Sequence, residues 1–113
     1  PVAVIRELGD AIYHCHAKDV RIDPMNRAVD GVLDTRHYAD ELHRSWIFRT
    51  VGYGNDAAYW KDIFTALRTV GYDGAVSIEH EDSLINRMEG LEKAVDMMKA
   101  CIISKEKTGM WWA

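Results

Sequence analysis

The nine residues AIYHCHAKD, 11–19, decide how the rest of this chain is read. Their small and apolar members suit a buried strand, but every second residue is polar: His14, His16 and Lys18. Because strand side chains alternate between faces, those three share one side and Tyr13, Cys15 and Ala17 the other. A strand that only fills a core has no use for two imidazoles and an ammonium on one face.

A second segment has the same character. In AVSIEH, 75–80, Val76 and Ile78 alternate with Ala75, Ser77 and Glu79, and Glu81 lies just beyond. Both segments become more polar toward their C-terminal ends. Between and around them the spacing predicts helices over 1–8, 56–69 and about 84–103. Trp60, Ile63, Phe64, Leu67 and Val70 make one stripe of the middle helix, ended by Gly71. Leu84, Met88, Leu91, Val95, Met98 and Ile102 make that of the last, with Asp82 or Ser83 as its cap. Residues 19–54 read as a long loop punctuated by Asp23-Pro24, Asp30-Gly31 and Gly52-Tyr53-Gly54. A short helix is expected near Tyr38–Arg44, and the length and aromatic content of the segment predict an ordered lid or subunit contact. Trp111 and Trp112 are expected to pack back on the body of the chain.

Strands alternating with helices imply βαβ units and a parallel sheet. Two strands cannot bury their own faces, so further strands are expected from a missing N-terminal part or from another copy. The opening supports a fragment. Pro1 followed by Val2, Ile5 and Leu8, then Gly9, is a helix with its usual punctuation and no initiator Met.

Composition bounds the function. The chain has 113 residues, 48% of them hydrophobic, enough for one domain or a piece of one. A net charge of −4 argues against nucleic acid or anionic membrane as the main partner. No apolar run is long enough to span a membrane and no signal peptide is visible, so the expected location is cytoplasmic. Cys15 and Cys101 lie far apart and are read as reduced core residues.

In parallel α/β folds, ligands bind beyond the C-terminal ends of strands. His16 and Glu79 each sit late in their strand, so neighbouring strands would bring an imidazole nitrogen and a carboxylate oxygen to one point. That donor pair suits a divalent ion such as Mn, Co, Zn or Mg. Either residue alone reads as readily as a structural histidine or a surface carboxylate.

HCHAKD (14–19), RTVGYG (49–54), YWKDIFTALRTVGYDGAVSIEHED (59–82) and EGLEKAV (89–95) together resemble the C-terminal part of the sugar phosphate isomerase/epimerase family of xylose-isomerase-like TIM barrels. The resemblance covers residues 1–103 and rests on the combination. It implies that residues 1–113 are the final part of a single (β/α)8 barrel with one divalent metal, Mn first, at its C-terminal mouth. His16 and Glu79 match two of the family's ligands; the other two, a Glu and an Asp, would lie upstream of Pro1. The implied chemistry is isomerisation or epimerisation of a sugar by proton transfer through an enediolate, with Glu79 as ligand and acid/base. His14 and Lys18 would bind substrate oxygens. Arg49, ahead of the Gly-x-Gly, would anchor a hydroxyl, carboxylate or phosphate, with Arg21 an alternative. Lys18 bridged to Asp19 or Glu81 is the plainer reading, and His80 is placed on the outer face. Competing functions are a metal-dependent lyase or dehydratase on keto-sugars, an abasic-site endonuclease, disfavoured by the acidic charge, and an incomplete fragment that only associates.

Overall fold

The computed structural model describes all residues, 1–113. Its elements are α1 (Val2–Leu8), β1 (Cys15–Ala17), β2 (Asp19–Ile22), α2 (Pro24–Asp30), β3 (Trp46–Arg49), α3 (Ala57–Thr69), β4 (Val76–Ile78) and α4 (Arg87–Cys101). A single 3₁₀ turn, Gly9–Ala11, follows α1.

The expected parallel pairing is present. β1 lies beside β4 in parallel, with Cys15 opposite Val76, His16 opposite Ser77 and Ala17 opposite Ile78. The first strand is shorter than its sequence suggests, because Gly9–Ala11 is spent on the 3₁₀ turn and pairing begins only at Cys15.

The long segment differs from the expected loop. It carries an antiparallel ribbon in which β2 pairs with β3, Asp19 opposite Arg49 and Ile22 opposite Trp46. Asp23-Pro24 is not a turn but the start of α2. The Asp23 carboxylate accepts from the Met25 and Asn26 backbone N–H groups, and Pro24 takes the first helical position. Residues 38–44 form turns, with Asp40 N–H donating to His37 and Arg44 N–H to Asp40, and no helix.

The core sits where α1, α3 and α4 close on β1 and β4. Ala17, Val51, Trp60, Phe64, Leu67, Ala94, Met98 and Cys101 are buried together. α3 presents the expected stripe, with Asp56 as its cap. α4 corrects the expectation twice. It starts at Arg87 on the Asn86 cap, and it buries Gly90, Ala94, Met98 and Cys101. Leu84, Met88 and Leu91 face outward. Two overlapping stripes satisfy the helical period here, and the one with small residues lets the helix approach closely. Both cysteines are free. Trp111 and Trp112 do not pack back; they are 81% and 69% exposed and touch each other edge to face.

Gly90 shows how close that approach is. A Cβ there would overlap the His80 ring, with Nε2 at 2.7 Å, and would press Ile85 Cγ2 at 3.0 Å. His80 lies on the helix side of β4, both ring nitrogens buried without a partner. Gly-to-Ala in an open helix gains about 1 kcal/mol. Gly90→Ala is instead expected to lose about 1–3 kcal/mol through overpacking, measured by urea denaturation. A variant as stable as the parent would mean that the ring swings aside freely.

Candidate metal centre and substrate mouth

The β1–β4 register sets the site. The Glu79 N–H donates to the Ala17 carbonyl at 3.0 Å, which carries the pairing one step past the strands. Alternation then lines His14, His16 and Lys18 against Ser77, Glu79 and Glu81 on one face. His14 Nε2 shares a hydrogen bond of 2.9 Å with Ser77 Oγ. His16 Nδ1 stands 3.3 Å from Glu79 Oε2. Lys18 Nζ donates to Glu79 Oε1 at 2.6 Å and lies 3.2 Å from Glu81 Oε2. The His14 and His16 rings meet edge to face at 5.1 Å. Of the two partners foreseen for Lys18, Glu81 is present; Asp19 is occupied elsewhere, and Glu79 takes the shorter bond.

Electrostatics keep Lys18 and Glu79 charged. The Lys18 hydrogen bond, aided by His16, holds the Glu79 carboxyl below its ordinary range despite some desolvation. Glu79 in turn raises the Lys18 ammonium. Glu79 is therefore a carboxylate at neutral pH, able to accept a proton or donate to a cation.

The donor pair fits one divalent ion in part. Ligand atoms about 2.0–2.2 Å from a common ion stand roughly 3.0–3.4 Å apart, and His16 Nδ1 and Glu79 Oε2 are 3.3 Å apart. Their side chains are 60% and 41% exposed, so they are open to further ligands. No third His, Cys, Asp or Glu of this chain joins them.

Arg49 is directed elsewhere. Its Nε donates to Asp82 Oδ2 at 3.1 Å. The same oxygen accepts from the Thr50 N–H and hydroxyl, at 2.6 and 2.8 Å. Burial alone would push the Asp82 carboxyl up, but these donors and the Leu84 N–H hold it below its ordinary range. Asp82 thus ties the end of β3 to the loop after β4 instead of capping α4. Arg21 donates to the Gly54 carbonyl at 3.3 Å.

The residue that the sequence reading missed is Asp19, 1% exposed. Its Oδ2 accepts from the backbone N–H groups of Gly52, Gly54 and Asn55 and from Trp60 Nε1. Its Oδ1 accepts from the Val20 N–H and Asn55 Nδ2. The Gly-x-Gly exists for this contact: a Cβ at Gly54 would lie 2.6 Å from both Asp19 Oδ1 and the Val20 carbonyl, and Gly52 sits at φ 93°. Asp followed by a distant Gly-x-Gly was the available signal.

β3 also delivers Phe48 to this mouth, with Lys18 Nζ 4.2 Å from its ring centroid. Tyr38 lies nearly parallel to Phe48, at 16° and 5.8 Å.

Comparison with known proteins agrees with this architecture. A curated relative, the uncharacterized protein YfiH of Bacillus subtilis (strain 168), is 40% identical over 102 residues, covering 90% of this chain. The chain spans about a third of that relative's length, 33%. A family model described as xylose isomerase-like TIM barrel matches residues 2–101. The match over nearly the whole sequence means that this chain belongs to the xylose isomerase-like TIM barrel family.

Proposed function

We propose that these residues form the C-terminal part of a (β/α)8 barrel that isomerises or epimerises a sugar with the help of one divalent ion, Mn first. The observation that carries the reading is the convergence of His16 and Glu79 from neighbouring parallel strands to 3.3 Å, at the ends where such folds bind ligands. The two remaining ligands come from the rest of the barrel, or from another copy of the chain.

His16 and Glu79 would hold the divalent ion, and the chemistry it would supply there is polarisation of the sugar carbonyl and the neighbouring hydroxyl. Glu79, kept ionised by Lys18, takes the carbon-bound proton, and the electrons of the broken C–H bond form the enediolate double bond. Returning the proton to the adjacent carbon isomerises the sugar; delivery to the opposite face by an acid from another strand inverts it. His14 and Lys18 stand on the same face to donate to substrate oxygens. No helix is long and apolar enough to cross a membrane.

Mn²⁺ titration followed by EPR tests the site on the assembled protein. One equivalent is expected to bind, and His16→Ala and Glu79→Ala should each weaken it about 10- to 100-fold or more, the range seen when metal-site groups are removed. Unchanged affinity in both variants would remove the metal centre from this face.

A further inference from the structure

A cavity of about 370 Å³ opens beyond the C-terminal end of β4, walled by Tyr38, Ile47, Phe48, Glu81, Asp82 and Ser83. That is within the size range of small-ligand sites. It adjoins the His16–Glu79 pair directly, because Lys18 reaches Glu79, Glu81 and the Phe48 ring at once. Tyr38 and Phe48 give it an aromatic wall. That wall is built rather than incidental: the buried Arg44 guanidinium lies 4.4 Å from the Tyr38 centroid and 4.5 Å from that of Trp46.

The opposite rim is anionic. Glu81 has one oxygen on Lys18 and the other open. Asp82 has its acceptors filled by Arg49, Thr50 and Leu84, so it contributes charge. No cation stands in the cavity wall; of the two nearby, Lys18 is held by two carboxylates and Arg49 gives its Nε to Asp82. A phosphate seated here would face two carboxylates with no cation in the wall to pair it. A hydroxyl would find an acceptor in Glu81 and a donor or acceptor in Ser83, and C–H groups would lie against the rings.

We infer that the cavity seats the far end of the substrate as an uncharged polyhydroxylated chain, so that the sugar turned over is unphosphorylated, with Phe48 and Glu81 setting that preference. This deepens the isomerase reading and rests on it.

The probes are two matched pairs, D-fructose with its 6-phosphate and D-xylulose with its 5-phosphate. Binding to the assembled, Mn²⁺-loaded protein is followed by calorimetry and saturation-transfer NMR, and turnover by product analysis. The free sugars should bind at least about tenfold more tightly than their esters, with saturation strongest on the protons remote from the carbonyl. Phe48→Ala should weaken the free sugars about tenfold. Glu81→Lys, at a 54% exposed side chain, should shift the sugar-to-ester ratio about tenfold or more toward the esters. Turnover with the esters preferred, or a ratio unmoved by Glu81→Lys, overturns the inference and leaves the isomerase reading standing. No binding and no turnover of any of the four sugars overturns both.

Discussion

Asp19→Ala is expected to destabilise the chain by about 3–5 kcal/mol, enough to unfold much of it at ambient temperature. The carboxylate is 1% exposed and collects donors from Val20, Gly52, Gly54, Asn55 and Trp60. Each bond to an ionised acceptor contributes about 1.5–3 kcal/mol, and each buried donor left without a partner costs about 1–3 kcal/mol, not additively. Three of the donors, the N–H groups of Gly52, Gly54 and Asn55, belong to a backbone turn whose two glycines leave no room for a side chain, so they cannot move to new acceptors. Water entering the hole would recover part of the loss, which is why the expected total is below the sum. Asp19→Asn should recover little, since its amide NH₂ would face donors where the second oxygen was. Chemical denaturation of the three proteins measures this. A loss under about 1 kcal/mol for Asp19→Ala would show that the 50–55 turn holds itself. The consequence reaches the mouth, because this turn leads from β3, which carries Phe48, into α3.

The parts of the fold legible in the sequence are those where periodicity and partner agree. α3 was readable because Trp60, Phe64 and Leu67 repeat on a helix that packs with that one face. The β1–β4 pair was readable because its polar residues fall at matching depth, and His16 and Glu79 do meet. Where local pattern admits two answers, packing chose. α4 has bulky and small stripes offset by a few residues, and the closeness of His80 to Gly90 selects the small one. Residues 19–54 were illegible for another reason. Their strands are four residues each and pair across more than twenty intervening positions, so neither segment alone shows an alternation long enough to read. Asp23-Pro24 carried a helix-start signal of the same kind used at Pro1, and turn chemistry masked it. At the candidate site, residue types pointed to His16, Glu79 and Lys18. Asp82 and Phe48 depend on contacts made through that ribbon, which no spacing rule reports, and Asp19 had only a distant Gly-x-Gly to announce it.

The second large effect is expected at Arg44, which holds the ribbon together without an acidic partner. It is 2% exposed. Its Nε donates to the Trp46 carbonyl at 3.1 Å, and its Nη1 donates to the Arg36 carbonyl. Two rings, Tyr38 and Trp46, also lie against the charge, 4.4 and 4.5 Å from centroid to guanidinium carbon. Arg44→Ala removes two charged hydrogen bonds, strands two carbonyls, and withdraws the cation from a stack worth about 0.5–2 kcal/mol by itself. The expected cost is about 3 kcal/mol, concentrated in residues 23–49. Arg44→Lys should recover only part of it, because a compact ammonium lacks the planar fork that reaches two carbonyls while lying against the rings. Because β1, β4 and their helices form a separate buried cluster, the loss should be local. Hydrogen exchange reads this directly. The Asp23 N–H, bonded to the Ser45 carbonyl at 2.9 Å, and the β2–β3 ladder should exchange about 100-fold faster in Arg44→Ala. Amides of α3 should keep their protection. Equal acceleration in α3 would mean that the ribbon and the barrel core unfold as one unit, and the mouth would then have no independently stabilised wall. Preserved α3 protection makes the Tyr38–Phe48 wall a part that can open without loss of the core on which β1 and β4 lie.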